Sequence, residues 1–254
     1  MIHTERLCAP LLVLAALTAP LAGQDVPSAE QIVQRYLEAV GGEETIRETK
    51  GMHQTGTMEM PAMGMSAQLE MFVAPPNLML MKMDLPQVGA IRTGFDGEVG
   101  WVDNPMTGPM LMEGEQLEQA IEQADYYADL RYDERYASME TVEQVDFAGE
   151  PTYKVKLVDH KGKETVEYFS VESGLKIGFE GEQTTEMGTM LVVTELRDYT
   201  EIEGRMVPMA TVSKMMGMEM TMRLDSVSFE PIDPSVFALP ENIRTLVART
   251  EGQE

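Results

Sequence analysis

Met216, Met218, Met220, Met222 and Leu224 occupy every second position near the end of the chain, with Gly217, Glu219, Thr221 and Arg223 between them. A period of two places the five long apolar side chains on one face of a β-strand. The alternation recurs at Met79, Met81 and Met83, at Leu69, Met71 and Val73, and at Met58 and Met60. Sheet faces are usually filled by branched side chains, which pack stiffly. Unbranched, polarizable methionine makes a softer wall, one that adapts to a flexible apolar guest. The candidate lining of a ligand cavity is therefore Met58, Met60, Leu69, Met71, Met79, Met81, Met83, Met216, Met218, Met220 and Met222. Trp101 follows a hairpin turn and fits either the core or the mouth of such a cavity.

The rest of the chain supplies helices at two places. Ser28 is a natural N-cap with Gln31 three residues on, a capping box. Ile32, Val33, Tyr36, Leu37 and Val40 then form one helical stripe, and Gly41-Gly42 ends it. A short helical turn over 43–48 follows. From Lys50 the texture changes to strands, near 51–60, 66–74, 77–84, 89–95 and 98–103, with Asp96-Gly97 as a strong hairpin signal. Residues 114–136 interrupt the strands with a helical stripe that includes Leu117, Ala120, Ile121, Ala124, Tyr127 and Leu130. Strands resume near 139–147, 151–159, 163–171, 175–183, 189–200, 205–215 and 216–229. Glycine-bearing turns such as Ala148-Gly149, Lys161-Gly162 and Glu203-Gly204 separate them. Pro231, Pro234 and Pro240 mark an irregular finish, and 241–254 reads as a tail.

The fold class is mainly β with helices: a large curved antiparallel sheet or unclosed barrel of about 11 strands, with an N-terminal helix and a mid-chain helical insertion. One sheet face must be covered. The insertion is the candidate lid or plug, with Leu117, Ile121 and Ala124 as its sheet-facing residues. A barrel of this size has room for a ligand unless helices fill it.

Composition narrows this picture. Residues 1–23 read as a cleaved secretory signal: a short polar start with Arg6, an apolar run to Leu21, then the small Ala22-Gly23. Residues 24–254 read as one domain, with no repeat and no Gly/Ser linker. Cys8 is the sole cysteine and precedes the apolar run, so the mature chain has neither disulfide nor thiolate metal site. The net charge of −24 repels nucleic acid and anionic membranes, and favours a soluble monomer.

No chemistry announces itself. His53 and His160, the only histidines beyond the leader, have no nearby ligand partners. Carboxylates are so abundant that no pair stands out. The calcium-loop, H-E-x-x-H, G-x-S-x-G and Walker A patterns are missing. The chain reads as a non-enzyme that needs no cofactor. Thioether sulfur is a soft ligand, so Met58, Met60, Met63 and Met65, which bracket a turn, offer an alternative: a Cu(I) site. A third reading is a structural envelope domain whose barrel is fully plugged.

Several segments, taken in order, resemble the LolA/LolB-like lipoprotein carriers of the bacterial envelope. They are Gly56-Thr57-Met58-Glu59-Met60-Pro61-Ala62-Met63-Gly64-Met65, the stretch from Arg92 to Trp101, Tyr168-Phe169 with Ser173-Gly174-Leu175, and Pro231-Ile232-Asp233-Pro234-Ser235-Val236-Phe237. The likeness covers most of 28–240. It implies an unclosed barrel with a helical lid and a cavity for acyl chains of a lipid or lipoprotein. It also implies envelope protein partners and work in the periplasm. No lipobox cysteine closes the apolar run, so the soluble carrier type fits better than the anchored receptor type.

Overall fold

The computed structural model describes residues 26–185 and 188–252. The expected signal segment, 1–23, lies outside them. Helix α1 spans Ala29–Ala39 and α2 spans Gly42–Glu48. The capping box forms as expected: Ser28 Oγ accepts the Gln31 N–H at 3.3 Å, and Gln31 Oε1 accepts the Ser28 N–H at 3.0 Å. Ile32, Val33 and Tyr36 turn the helix stripe inward and are buried.

Strands β1 (Met52–Met60), β2 (Met65–Ala74), β3 (Leu78–Leu85), β4 (Gly89–Phe95), β5 (Gly100–Asn104) and β6 (Gly108–Leu111) follow. A helical segment comes next, α3 (Gly114–Ala124), a 3-10 turn (Ala128–Leu130) and α4 (Tyr132–Arg135). The second strand series is β7 (Tyr136–Phe147), β8 (Glu150–Asp159), β9 (Glu164–Ser170), β10 (Lys176–Thr185), β11 (Gly188–Ile202), β12 (Arg205–Met215) and β13 (Met218–Ser228). A 3-10 turn at Pro234–Phe237 and helix α5 (Glu241–Glu251) complete the described chain.

All thirteen strands form one antiparallel sheet in the order β6-β5-β4-β3-β2-β1-β13-β12-β11-β10-β9-β8-β7. The end strands β6 and β7 do not pair, so the barrel is unclosed. The expected sheet of about 11 strands, laid out over twelve ranges, has thirteen. The strand absent from the sequence reading is β6, which carries Pro109 and only four residues. A proline cannot donate to a ladder and is tolerated at a sheet edge, where β6 lies.

Pairing fixes which residues share a face. One face, here the inner face, carries Val155, Leu157 and Phe169, against which α1 packs. At the other end it carries Met79 and Phe95, which meet Leu117 and Ala124 of α3. Helix α3 thus runs over the inner face and touches β4, β5 and β10.

The opposite, outer face holds a second core of Ala74, Leu80, Trp101, Phe237 and Ile243. Ile243 of α5 is fully buried. The expected irregular tail over 241–254 is therefore corrected. Glu241–Glu251 is a helix, begun by Pro240 at its N-cap, and it covers the sheet. Proline is at home at a helix start because its missing N–H has no intrahelical partner there. Trp101 pairs across β4–β5 with Gly94. A Cβ on Gly94 would lie 2.6 Å from the indole ring, so glycine is required for the tryptophan to lie flat on the strand.

Candidate functional site

The methionine stripes converge. Register runs Met58↔Met222 between β1 and β13, Leu69↔Met83 and Met71↔Met81 between β2 and β3, and Met60↔Met65 across the β1–β2 hairpin. The ladder continues through Ser213↔Met220 and Met215↔Met218 to Thr194↔Ser213 and Phe179↔Thr194. Met58, Met60, Leu69, Met71, Met79, Met81, Met83, Met218, Met220 and Met222 therefore all stand on the inner face.

Two residues of the expected lining do not. Met216 has φ 51° and sits with Gly217, φ 78°, in the β12–β13 turn, where it is 76% exposed. Both positive φ values belong to a two-residue hairpin turn, which lifts Met216 out of the strand alternation. Trp101 is 2% exposed on the outer face beneath Phe237 and Ile243. Its place two residues after Val99 hid the fact that Gly100, not Trp101, faces inward.

An open cavity of about 710 Å³ lies over the inner face of β10–β13. Its floor is Phe179, Val192, Thr194, Leu196, Thr211 and Ser213. Met215, Met218 and Met220 form one wall, with Met60, Ala62 and Met63 of the β1–β2 hairpin beside them. Small side chains at Gly181, Thr211 and Ser213 leave the space that larger ones would fill. The inner face near β2–β4 is not open: Met79 and Phe95 are buried against α3. The expected lining therefore divides, with Met60, Met218 and Met220 in the cavity wall and Met79 in a packed core.

Helix α3 roofs one side through Gln119, Glu122 and Gln123. Its sheet-facing residues are Leu117, Ala120 and Ala124. Ile121 is 45% exposed and points away from the sheet contact, which corrects its place in the expected stripe. Leu117, Ala120 and Ala124 recur at three- and four-residue spacing, and the two alanines let the helix approach the sheet closely.

Of the four methionines considered for Cu(I), Met58, Met60 and Met65 share the inner face, while Met63 lies in the 3-10 turn Pro61–Met63 and is 56% exposed. His53 bonds Glu70 and stacks on Phe72, and His160 meets the Glu134 carbonyl. Among the described residues no three His, Cys, Asp or Glu side chains group to hold a metal.

A polar network that the sequence did not reveal lies under the helices. Lys176 of β10 donates to Glu167 at 3.1 Å and to Tyr132 Oη at 3.2 Å, and Asp129 lies at 3.5 Å. Tyr132 donates to Glu167 at 2.5 Å, and Tyr36 donates to Asp129 at 2.8 Å. Burial opposes the ammonium, yet the carboxylates of Glu167 and Asp129 outweigh it and hold Lys176 well above the usual lysine pKa. Burial also pushes Tyr36, Tyr132 and Tyr199 up. Asp129 is held low because Lys176 and Tyr36 overcome its desolvation. The network ties α1 and α4 to β9 and β10.

No family model matches the sequence, and no curated protein matches it. Solved structures do. A LolA superfamily protein from Nitrosomonas europaea superposes with TM-score 0.57 at 11% identity, over 84% of this chain and 99% of that one. A DUF1329 family protein from Desulfovibrio piger gives 0.61 at 9% identity, covering 84% and 98%. A domain from Vibrio parahaemolyticus described as outer membrane lipoprotein-sorting gives 0.52 at 12% identity, covering 86% and 98%. The chain has the LolA-like fold, a wide unclosed antiparallel sheet with helices on its inner face.

Proposed function

We propose that this protein is a non-enzymatic carrier that holds a hydrophobic ligand, an acyl lipid or the acyl chains of a lipoprotein, in the cavity between the methionine wall and α3. The observation that carries the reading is the cavity itself, about 710 Å³, within the range of about 300–1,000 Å³ typical of small-molecule sites. One wall is apolar, the floor sets Phe179, Val192 and Leu196 among the small hydroxyl residues Thr194, Thr211 and Ser213, and the methionines supply a deformable contact surface. Ligand transfer needs no covalent step, only open and closed states that differ by a few kcal/mol. In this reading α3 is the lid, the mature chain begins near Gln24, and the protein works as a monomer in the periplasm with envelope proteins as donor and acceptor. The fold shared with a lipoprotein-sorting domain supports that setting.

Native mass spectrometry of the protein purified from its own envelope tests the reading. A co-purified acyl lipid is expected. A copper ion without lipid would replace the carrier by a Cu(I) protein, and neither would favour a structural domain.

A further inference from the structure

The apolar cavity opens sideways into a second, charged cleft of about 470 Å³. Glu122, Lys163 and Thr165 line both spaces, so the two are continuous past one edge of α3. The cleft is balanced in charge, in an otherwise acidic protein. Arg131, Arg135, Lys161 and Lys163 line it together with Glu122, Asp125, Glu134 and Asp159, whereas the whole chain has a net charge of −24.

The charges within the cleft are unequally satisfied. Asp125 is held by Arg131 and by the Tyr127 N–H. Asp159 spends one carboxylate oxygen on the backbone N–H groups of Lys161 and Lys163, at 2.8 Å each. Lys161 is paired outward with Glu118. Glu122 and Glu134 are exposed at the rim, where water screens them. Two cations are left without a carboxylate partner. Among the described residues Lys163 is half-buried with no partner for its ammonium, and Arg135 has no carboxylate within bonding distance, only the Ala128 carbonyl at 3.5 Å and the Tyr136 ring beneath it. Arg131 Nε is buried and bonds to nothing. That atom is closed to solvent, so Lys163 and Arg135 are the cations open to an acceptor, and a charged donor without one is costly.

We infer that this cleft is the head-group site of the carrier: it takes the anionic oxygens, carboxylate or phosphate, of an amphiphile whose tail lies in the methionine-walled cavity. The inference rests on the carrier reading and narrows its ligand to an anionic lipid. Lys163 stands at the junction, where a head meets its tail. Arg135 supplies further donors, and charge-assisted bonds of this kind are the strong ones. A neutral head of the same tail length leaves both cations unpaired.

Equilibrium dialysis of the protein against oleate and against monoolein, which share a tail and differ in head charge, provides the test. Oleate is expected to bind at least about tenfold more tightly, as one charge-assisted bond would give. In the double variant Lys163→Gln/Arg135→Gln the ratio of the two affinities should fall to near one, whereas Lys163→Arg should keep it, with circular dichroism confirming the fold of each. Equal affinities in the unaltered protein would overturn the head-group site while leaving the carrier reading intact. Binding of neither ligand would overturn the carrier reading and this inference with it. Inorganic phosphate that binds alone and displaces oleate would mark a free-anion site, and would also overturn the lipid-head assignment.

Discussion

Thr211 sits in the middle of the cavity floor, between Leu196 on β11 and Met222 on β13. Replacing it by phenylalanine fills space that a ligand would occupy. An aromatic ring buries roughly 150–250 Å², of which about 100 Å² would take the place of ligand contact. At about 25 cal/mol per Å², that is about 2.5 kcal/mol, or about 70-fold in Kd. A ligand free to slide within 710 Å³ recovers up to about half of the loss by area, so the expected weakening is roughly eight- to seventyfold. Stability should move by less than about 1 kcal/mol, because Thr211 is half-buried and a β-strand accepts an aromatic beside Leu and Met. Binding of an acyl ligand by native mass spectrometry or dialysis, with urea unfolding alongside, reads both numbers. Undiminished affinity in a normally folded Thr211→Phe protein would show that the ligand lies elsewhere and refute the cavity assignment.

Other outcomes follow from the same geometry. Trp101, the sole tryptophan, lies on the outer face, so its fluorescence should not change when ligand fills the inner cavity; a large shift on binding would contradict the face assignment. Gly94→Ala should destabilise the protein by about 1–3 kcal/mol in urea unfolding, since its Cβ would meet the indole at 2.6 Å. The triple change Met79→Leu, Met81→Leu and Met218→Leu should keep ligand binding and cost under about 1.5 kcal/mol per site in urea unfolding. Lys176→Met should cost about 3–5 kcal/mol, because Glu167 is left as a buried charge without its cation. The pH signs differ by group. Asp129 has a lowered folded pKa, so its contribution is present above the ordinary value of 3.8 and is lost as pH falls below it. Lys176 and Tyr132 have raised folded values, so theirs is present below 10.5 and 10.0 respectively and is lost only at higher pH. Urea unfolding across pH should therefore show stability failing at both extremes and flat with respect to these groups between them.

Period-two patterning was legible because an antiparallel ladder turns sequence parity into geometry. Met58, Met71, Met81, Met83, Met220 and Met222 could be placed on one face before any coordinates, and they are on one face. The failures have local causes. Met216 kept the parity of its stripe, but Gly217 after it was the signal of a turn, the same residue-glycine pattern as Ala148-Gly149 and Glu203-Gly204, all with positive φ. Strand β6 was hidden by Pro109, and α5 by three prolines that in fact punctuate it from outside.

Polar organisation was less legible than apolar organisation, and for a physical reason. An apolar residue declares its face by repetition, whereas a hydrogen bond declares nothing until both partners are placed. Lys176, Glu167, Tyr132 and Tyr36 come from β10, β9, α4 and α1, and no spacing among 36, 132, 167 and 176 marks them as one cluster. The charged cleft was hidden for the same reason: Arg131 and Arg135 end the helical segment, while Lys163 lies on the far side of β7 and β8 in the chain. The overall acidity then disguised it further, since a net charge averages away a local group of cations. A carrier with a soft apolar wall tells its ligand apart by the head rather than the tail, because tails differ by about 0.8 kcal/mol per buried methylene and a flexible methionine surface adapts to each. In the proposed carrier, specificity would therefore belong to the few fixed donors beside the cavity, the part of the site that sequence periodicity does not record.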